Sequence, residues 1–268
     1  MIEQLRPGAN ALRARVALFD FDGTVSLIRS GWMDVMVPMM VESLVELNSG
    51  ESEDELTAVV REFVARLTGR QTIYQMIELA GQIRKRGGEP RDPLEYKHEY
   101  LRRLWDRIQG RIDELTSGQC APEKYQVPGT VPLLEALRER GLTLYLASGT
   151  DDPYVQSEAR LLGLHHYFDG GVFGALDDYK SFSKAILIQR IIASSEAAGE
   201  EFLGFGDGYV EIENVRQVGG ITVGVATDEP DCAQVDPWKR DRLIGVGADY
   251  IVPHFASHRE LMNRLFPG

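Results

Sequence analysis

Three short apolar runs that end in glycine and polar residues constrain this chain most. Val16 to Phe19 leads into Asp20-Phe21-Asp22-Gly23-Thr24. Leu142 to Ala147 leads into Ser148-Gly149-Thr150, and Phe202 to Phe205 leads into Gly206-Asp207-Gly208. A run of this length, bounded by polar and glycine residues, fits a strand buried on both faces. Gly171 to Phe173, Ile221 to Val225 and Tyr250 to Val252 read as further strands. Pro153 to Leu162, stopped by Gly163, and Ser183 to Ala198 have helical text between them. Strands alternating with helices predict a parallel sheet covered on both faces.

From about residue 31 to residue 116 the pattern changes. Met36, Met39, Met40, Ser43 and Leu47 fall on one helical face, and Leu101, Leu104, Trp105, Ile108, Ile112 and Leu115 form another stripe. Ser52 with Glu55 has the spacing of a capping box. About four helices and no strand are predicted here, with the methionines as packing residues. Gln119 to Gly129, holding Pro122 and Pro128, reads as a linker. The expectation is an α/β domain over 1–28 and 120–268, with a helical insertion over 29–119.

The chain carries 29 basic and 41 acidic residues, a net charge of −12. A nucleic-acid backbone requires a basic surface, so nucleic acid is not an expected partner. The cluster Arg84-Lys85-Arg86 reads as a solvated helix end. The first residues lack a basic start followed by an apolar run, and no apolar stretch is free of acids over membrane length. Two distant cysteines, Cys120 and Cys232, offer neither a disulfide framework nor a zinc site. These features predict a cytoplasmic protein with no membrane partner.

Ligands of open parallel sheets bind beyond the carboxyl ends of the strands. Asp20, Asp22, Ser148, Gly149 and Asp207 are therefore expected at one edge, and Lys184 opens a nearby helix. Clustered carboxylates repel unless a hard cation lies among them, and Mg2+ takes oxygen ligands. A metal and a lysine would neutralise a phosphate, and a serine hydroxyl with backbone N–H groups would hold its oxygens. One carboxylate would attack phosphorus, and the other would donate and then accept a proton.

Four segments in this order, DFDGT at Asp20 to Thr24, ASGT at Ala147 to Thr150, a helix-initial lysine and GDGYVE at Gly206 to Glu211, resemble the haloacid dehalogenase superfamily. The resemblance implies a Rossmann-like, doubly wound sheet with an inserted α-helical cap between the first two motifs. It implies Asp20 as the nucleophile that becomes aspartyl-phosphate. Asp22 is implied as general acid/base, its backbone carbonyl on Mg2+. Ser148 and the Gly149 N–H are implied to bind phosphate, Lys184 to neutralise phosphate and Asp20, and Asp207 to bind Mg2+ with Asp20. Glu211 takes the second acidic position of the last motif, implying a water-mediated contact to the metal. Lys180 is the competing lysine; Lys184 is preferred for its 23-residue distance to Asp207.

An acid at position 22 favours transfer from an oxygen ester, because relatives that cleave carbon–halogen or carbon–phosphorus bonds lack it. The expected activity is Mg2+-dependent hydrolysis of a small phosphorylated metabolite such as a sugar phosphate. The alternatives are a phosphomutase or a catalytically inactive module that binds a phosphorylated ligand. Arg29, Trp32, Arg70, Gln71 and Thr72 are candidate specificity residues, the first two beside the nucleophile loop and the others in a loop between cap helices.

Overall fold

The computed structural model describes residues 2–176, 183–195 and 197–268. In chain order the elements are β1 (Glu3–Gln4), β2 (Val16–Phe19), α1 (Met33–Val45), α2 (Glu53–Leu67), α3 (Thr72–Lys85) and α4 (Pro93–Thr116). There follow α5 (Thr130–Glu139), β3 (Thr143–Asp151), α6 (Asp152–Leu161), β4 (Gly171–Ala175), α7 (Lys184–Ser194) and β5 (Phe202–Gly206). The chain ends with α8 (Tyr209–Gln217), β6 (Ile221–Val225), α9 (Pro237–Gly245), β7 (Tyr250–Val252) and α10 (His258–Leu265). These elements fall into two compact units, Met1–Ser30 with Arg111–Gly268, and Gly31–Gly110.

The first unit holds a seven-stranded sheet in the order β1-β7-β6-β5-β2-β3-β4. Every pairing is parallel except that of β1, which lies antiparallel on β7. This two-residue edge strand has no sequence signal, because two residues are too few for a period. Side chains alternate across the sheet as the pleat requires. Val16 and Leu18 of β2 pack with Leu187, Ile188 and Ile191 of α7 and with Val210 and Val215 of α8. Phe19 points the other way, stacked on Phe205 at 4.3 Å and edge-on to Phe168, while Phe205 meets Phe255 edge-on. A second cluster joins Ile212, Leu243 and Ile251, seating α8 and α9 against the β6–β7 side.

Register brings the strand tips level. Phe19 pairs with Phe205 on one side and Leu146 on the other. Asp20 therefore stands beside Gly206 and Ala147, and its N–H donates to the Phe205 carbonyl at 2.9 Å. Asp20 and Asp207 follow their strands, and Ser148 lies in β3 just past its Leu146 pairing, at the same edge of the sheet.

The second unit is helical. α1 packs on α2 and α3, and α2 on α3. Met36, Met39 and Met40 are buried, as are Val60 and Phe63 of α2 and Met76 and Leu79 of α3. The capping box at Ser52 and Glu55 is present in both directions, Ser52 Oγ accepting from the Glu55 N–H and the Glu55 carboxylate from the Ser52 N–H. Trp105, counted into the apolar stripe of α4, is exposed, while Leu104 and Ile108 are buried; the stripe is narrower than its apolar residues.

Two boundaries differ from the sequence reading. The units divide at Gly110, inside α4, and not at residue 119. The reason is Arg111, whose Nη1 donates to the carbonyls of Leu27, Ile28 and Ser30 and ties the end of α4 to the first unit. The stretch read as a linker, Gln119 to Gly129, belongs to that unit too: it holds a 3-10 turn at Pro122–Tyr125, and Gln126 bridges to Ser26. Among the described residues no helix is long and apolar enough to cross a membrane.

Candidate active site

Asp20 is buried at the tip of β2, where both faces of the strand are covered. Its Oδ1 accepts from the Phe21 N–H at 2.7 Å and lies 2.8 Å from Lys184 Nζ. The lysine is the first residue of α7, whose N-terminus Ser183 caps by accepting from the Ile186 N–H. Lys184 Nζ also lies 2.7 Å from Glu211 Oε2. Lys184 and Glu211 are buried, so the lysine is clamped between two carboxylates out of water. Burial alone would lower its pKa; Asp20 and Glu211 outweigh that and raise it. Burial pushes Asp20 well above the usual carboxylate range against the pull of Lys184, and Glu211 and Asp207 add to the rise.

Glu211 is thus placed on the lysine. Its Oε1 accepts from the Gly208 N–H at 3.2 Å, and a β-carbon at position 206 would collide with it. Gly206 is glycine because the Glu211 side chain folds back over the strand tip.

Asp22 is held differently. Thr150 Oγ1 donates to its Oδ2 at 2.7 Å, while Oδ1 is buried with no partner among the described residues. Burial raises its pKa to about 6, against the pull of Arg29 and with the push of Glu158. Ser148 is buried and its Oγ accepts from the Thr150 N–H at 3.1 Å. Ser148 and Gly149 belong to β3, which runs on to Asp151 rather than ending at Ala147. The acids after them do not cap α6 through their side chains; Asp152 Oδ1 accepts instead from the Gly174 N–H at 2.8 Å.

Asp207 follows β5, and its N–H donates to Thr24 Oγ1 at 3.0 Å. Its Oδ2 lies 3.0 Å from Lys239 Nζ, which also donates to Glu229 Oε1 at 2.5 Å. Gly23, at φ +70°, makes room for this group: a β-carbon there would overlap the Asp207 carboxylate and come within 2.8 Å of Glu229 Oε1. Burial would lower the Lys239 pKa, but Asp207 and Glu229 raise it.

The donor chemistry suits a hard dication. Asp20, Asp22, Asp207, Glu211 and Glu229 set five carboxylates against the ammonium groups of Lys184 and Lys239. Asp20 Oδ2 and Asp207 Oδ1 accept no hydrogen bond from the described residues, so each carboxylate keeps an oxygen for a ligand. Among the described residues no three His, Cys, Asp or Glu side chains form a metal-enclosing group. Two carboxylates and a main-chain carbonyl do not require one, and Mg2+ keeps much of its water.

Of the specificity candidates, Arg29 is committed within the first unit. It is buried, its Nε and Nη2 donate to Glu158 at 3.1 and 2.6 Å, and it lies over the Tyr154 ring. Arg29, a candidate specificity residue, thus stands in a buried ion pair with Glu158, and its charge acts on Asp22. The other candidates lie in the helical unit. Trp32 is half-buried at the start of α1, Arg70 is exposed near the Tyr74 ring, Gln71 is buried before α3, and Thr72 is its first residue. Lys180 lies outside the described residues.

The sequence reading missed Glu158, Glu229 and Lys239. Glu229 follows the apolar run of β6, and the rule that ligands gather after strand ends would have found it. Lys239 sits in the first turn of α9, fixed by Asp236, whose Oδ1 accepts from the Lys239 N–H at 2.8 Å. No local pattern links it to Asp207.

Residues 14–219 match the model of a family described as hydrolase, haloacid dehalogenase-like hydrolase. No curated protein matches the chain in sequence. Among solved structures, the chain is similar to a β-phosphoglucomutase from Clostridium difficile at TM-score 0.63 and 12% identity, covering 94% of this chain and 97% of that one. It is similar to a predicted phosphatase from Clostridium acetobutylicum at TM-score 0.58 and 16% identity, covering 93% and 99%. A predicted phosphoglycolate phosphatase from Haemophilus somnus 129pt matches at TM-score 0.55 and 16% identity, covering 93% and 98%. At these identities the likeness is one of fold.

Proposed function

The chain belongs to the haloacid dehalogenase-like hydrolase family, and from that membership we propose that it hydrolyses small phosphomonoesters, sugar phosphates or similar metabolites, through an aspartyl-phosphate on Asp20. The observation that carries this reading is the different treatment of two acids on one strand tip. Asp20 faces the Lys184 ammonium at 2.8 Å, which opposes the rise that burial imposes on its carboxyl, while Asp22 accepts from Thr150 Oγ1 and burial raises its pKa to about 6.

The Asp20 carboxylate attacks phosphorus as the bond from phosphorus to the ester oxygen breaks. Asp22 gives its proton to the departing oxygen, so the alcohol leaves neutral. Water then attacks phosphorus of the aspartyl-phosphate and passes a proton back to Asp22. Inorganic phosphate departs and the Asp20 carboxylate is restored. Lys184 keeps its charge throughout, since Asp20 and Glu211 hold its proton, and it balances charge at the attacking oxygen. Ser148 Oγ and the Gly149 N–H are assigned to the phosphate oxygens. When bound, a divalent cation such as Mg2+ screens the phosphate's charge and makes phosphorus more electrophilic; Asp20, Asp207 and the Asp22 carbonyl are assigned to hold it. The helical unit is assigned the role of a substrate-selecting cap, with Trp32, Arg70, Gln71 and Thr72 as its candidate contacts.

The test is phosphate release from a panel of phosphomonoesters with Mg2+ and with EDTA, for wild type and Asp20→Asn. Metal-dependent release that falls by roughly 10³-fold or more in the variant is expected. Undiminished release in Asp20→Asn refutes the nucleophile. Isomerised substrate without net phosphate identifies a mutase, and tight binding of a phosphoester with no turnover identifies a sensor.

A further inference from the structure

The dyad of Lys239 and Glu229 lies outside the four motif segments, yet its lysine contacts the carboxylate assigned to the metal. Lys239 Nζ is 2.5 Å from Glu229 Oε1 and 3.0 Å from Asp207 Oδ2. The three side chains are only 13 to 14% exposed. The contact takes Oδ2 of Asp207 and leaves Oδ1 without a hydrogen bond among the described residues. Gly23 walls the other side of this group, since a β-carbon at that position would fall on the Asp207 carboxylate.

We propose that Lys239, anchored by Glu229, is a positioning residue for Asp207: it fixes one carboxylate oxygen so that the other is set for a divalent cation. The proposal rests on the reading of Asp207 as a metal ligand. A lone lysine beside a cation site would repel the ion. Glu229 cancels that charge at hydrogen-bond distance, so the dyad is neutral as a unit and its effect is one of orientation. Partners that hold a ligating carboxylate from behind commonly change metal affinity by 10- to 100-fold when removed.

The test uses the full chain, freed of metal with EDTA and titrated with Mn2+ under electron paramagnetic resonance, which counts free Mn2+ directly. The double variant Glu229→Gln with Lys239→Met removes the clamp and leaves net charge unchanged. A Mn2+ affinity about 10- to 100-fold weaker than wild type, with Lys239→Arg closer to wild type, is the expected result. Equal or tighter binding by the folded double variant overturns the proposal. Should that variant fail to fold, Lys239→Met alone decides: loss of a nearby cation by itself tightens Mn2+ binding, so only weakening agrees with positioning. Phosphate release by wild type separates the two levels. A wild type that binds Mn2+ and turns over, beside a double variant with unchanged affinity, overturns this inference alone. A wild type that does neither overturns the phosphatase reading and the inference with it.

Discussion

Replacing Asp22 by Asn should remove turnover and yet make the protein gain stability, relative to wild type, as pH rises. Burial carries the Asp22 carboxyl from its ordinary 3.8 to about 6. Between those values the native state binds more protons than the unfolded chain. Stability from this group is therefore fully present below pH 3.8 and is lost as pH rises through 6. At about 1.36 kcal/mol per pH unit, ionising Asp22 in the fold costs up to about 3 kcal/mol more than in the unfolded chain. The side chain keeps some contact with water, so the figure is an upper one. Asn keeps an acceptor for Thr150 Oγ1 and does not ionise. Its own packing cost is independent of pH, so the variant-minus-wild-type difference isolates the carboxyl. Urea unfolding of both proteins in EDTA, from pH 4 to pH 8, should show this difference moving toward the variant by about 2 to 3 kcal/mol, with roughly half the change above pH 5. A difference that stays flat across the range refutes the argument. It would mean that Asp22 ionises as freely in the fold as in the unfolded chain and holds no proton for a leaving group.

Three further outcomes follow from the site. Lys184→Met leaves Asp20 and Glu211 buried without their shared cation and should cost about 3 to 5 kcal/mol at pH 8, with part recovered at pH 5 as the carboxyls protonate; equal losses at both pH values in denaturant unfolding would argue against charge as the cause. Gly23→Ala puts a β-carbon into the Asp207 carboxylate at a φ that alanine resists, so Mn2+ affinity should fall at least about tenfold; wild-type affinity by calorimetry would contradict the crowding. Arg29→Met strands the buried Glu158 carboxylate and should lower stability by about 3 to 5 kcal/mol while the order of preferred phosphoesters stays the same; a reordered preference would return Arg29 to the substrate.

The α/β class, the helical insertion and the acids at the strand tips were legible because each depends on local text. Val16 to Phe19 fits a doubly buried strand, and its end places Asp20 and Asp22 wherever the sheet's carboxyl edge lies. Ser148 and Asp207, expected at the same edge, come there with β3 and β5, and Lys184 opens α7 beside Asp20. The same locality explains the errors. Gln119 to Gly129 has linker composition, but Arg111 and Gln126 bind that region to the sheet unit through contacts with residues 27–30 and with Ser26. The two-residue strand β1 has no pattern of its own and exists through its pairing with β7.

By itself the sequence determined that Asp20, Asp22 and Asp207 come to the edge of the sheet, since hydrophobic periodicity and chain order decide that much. The tertiary structure alone decided how those charges are shared. Glu211 stands on Lys184, Arg29 pairs with Glu158, and Asp207 meets Lys239, which Glu229 holds in turn; both of these come after a different strand. Buried ions must find partners across space, because water is not there to solvate them. Which partner each one finds depends on the crossing of strands and helices, and no spacing along the chain encodes it.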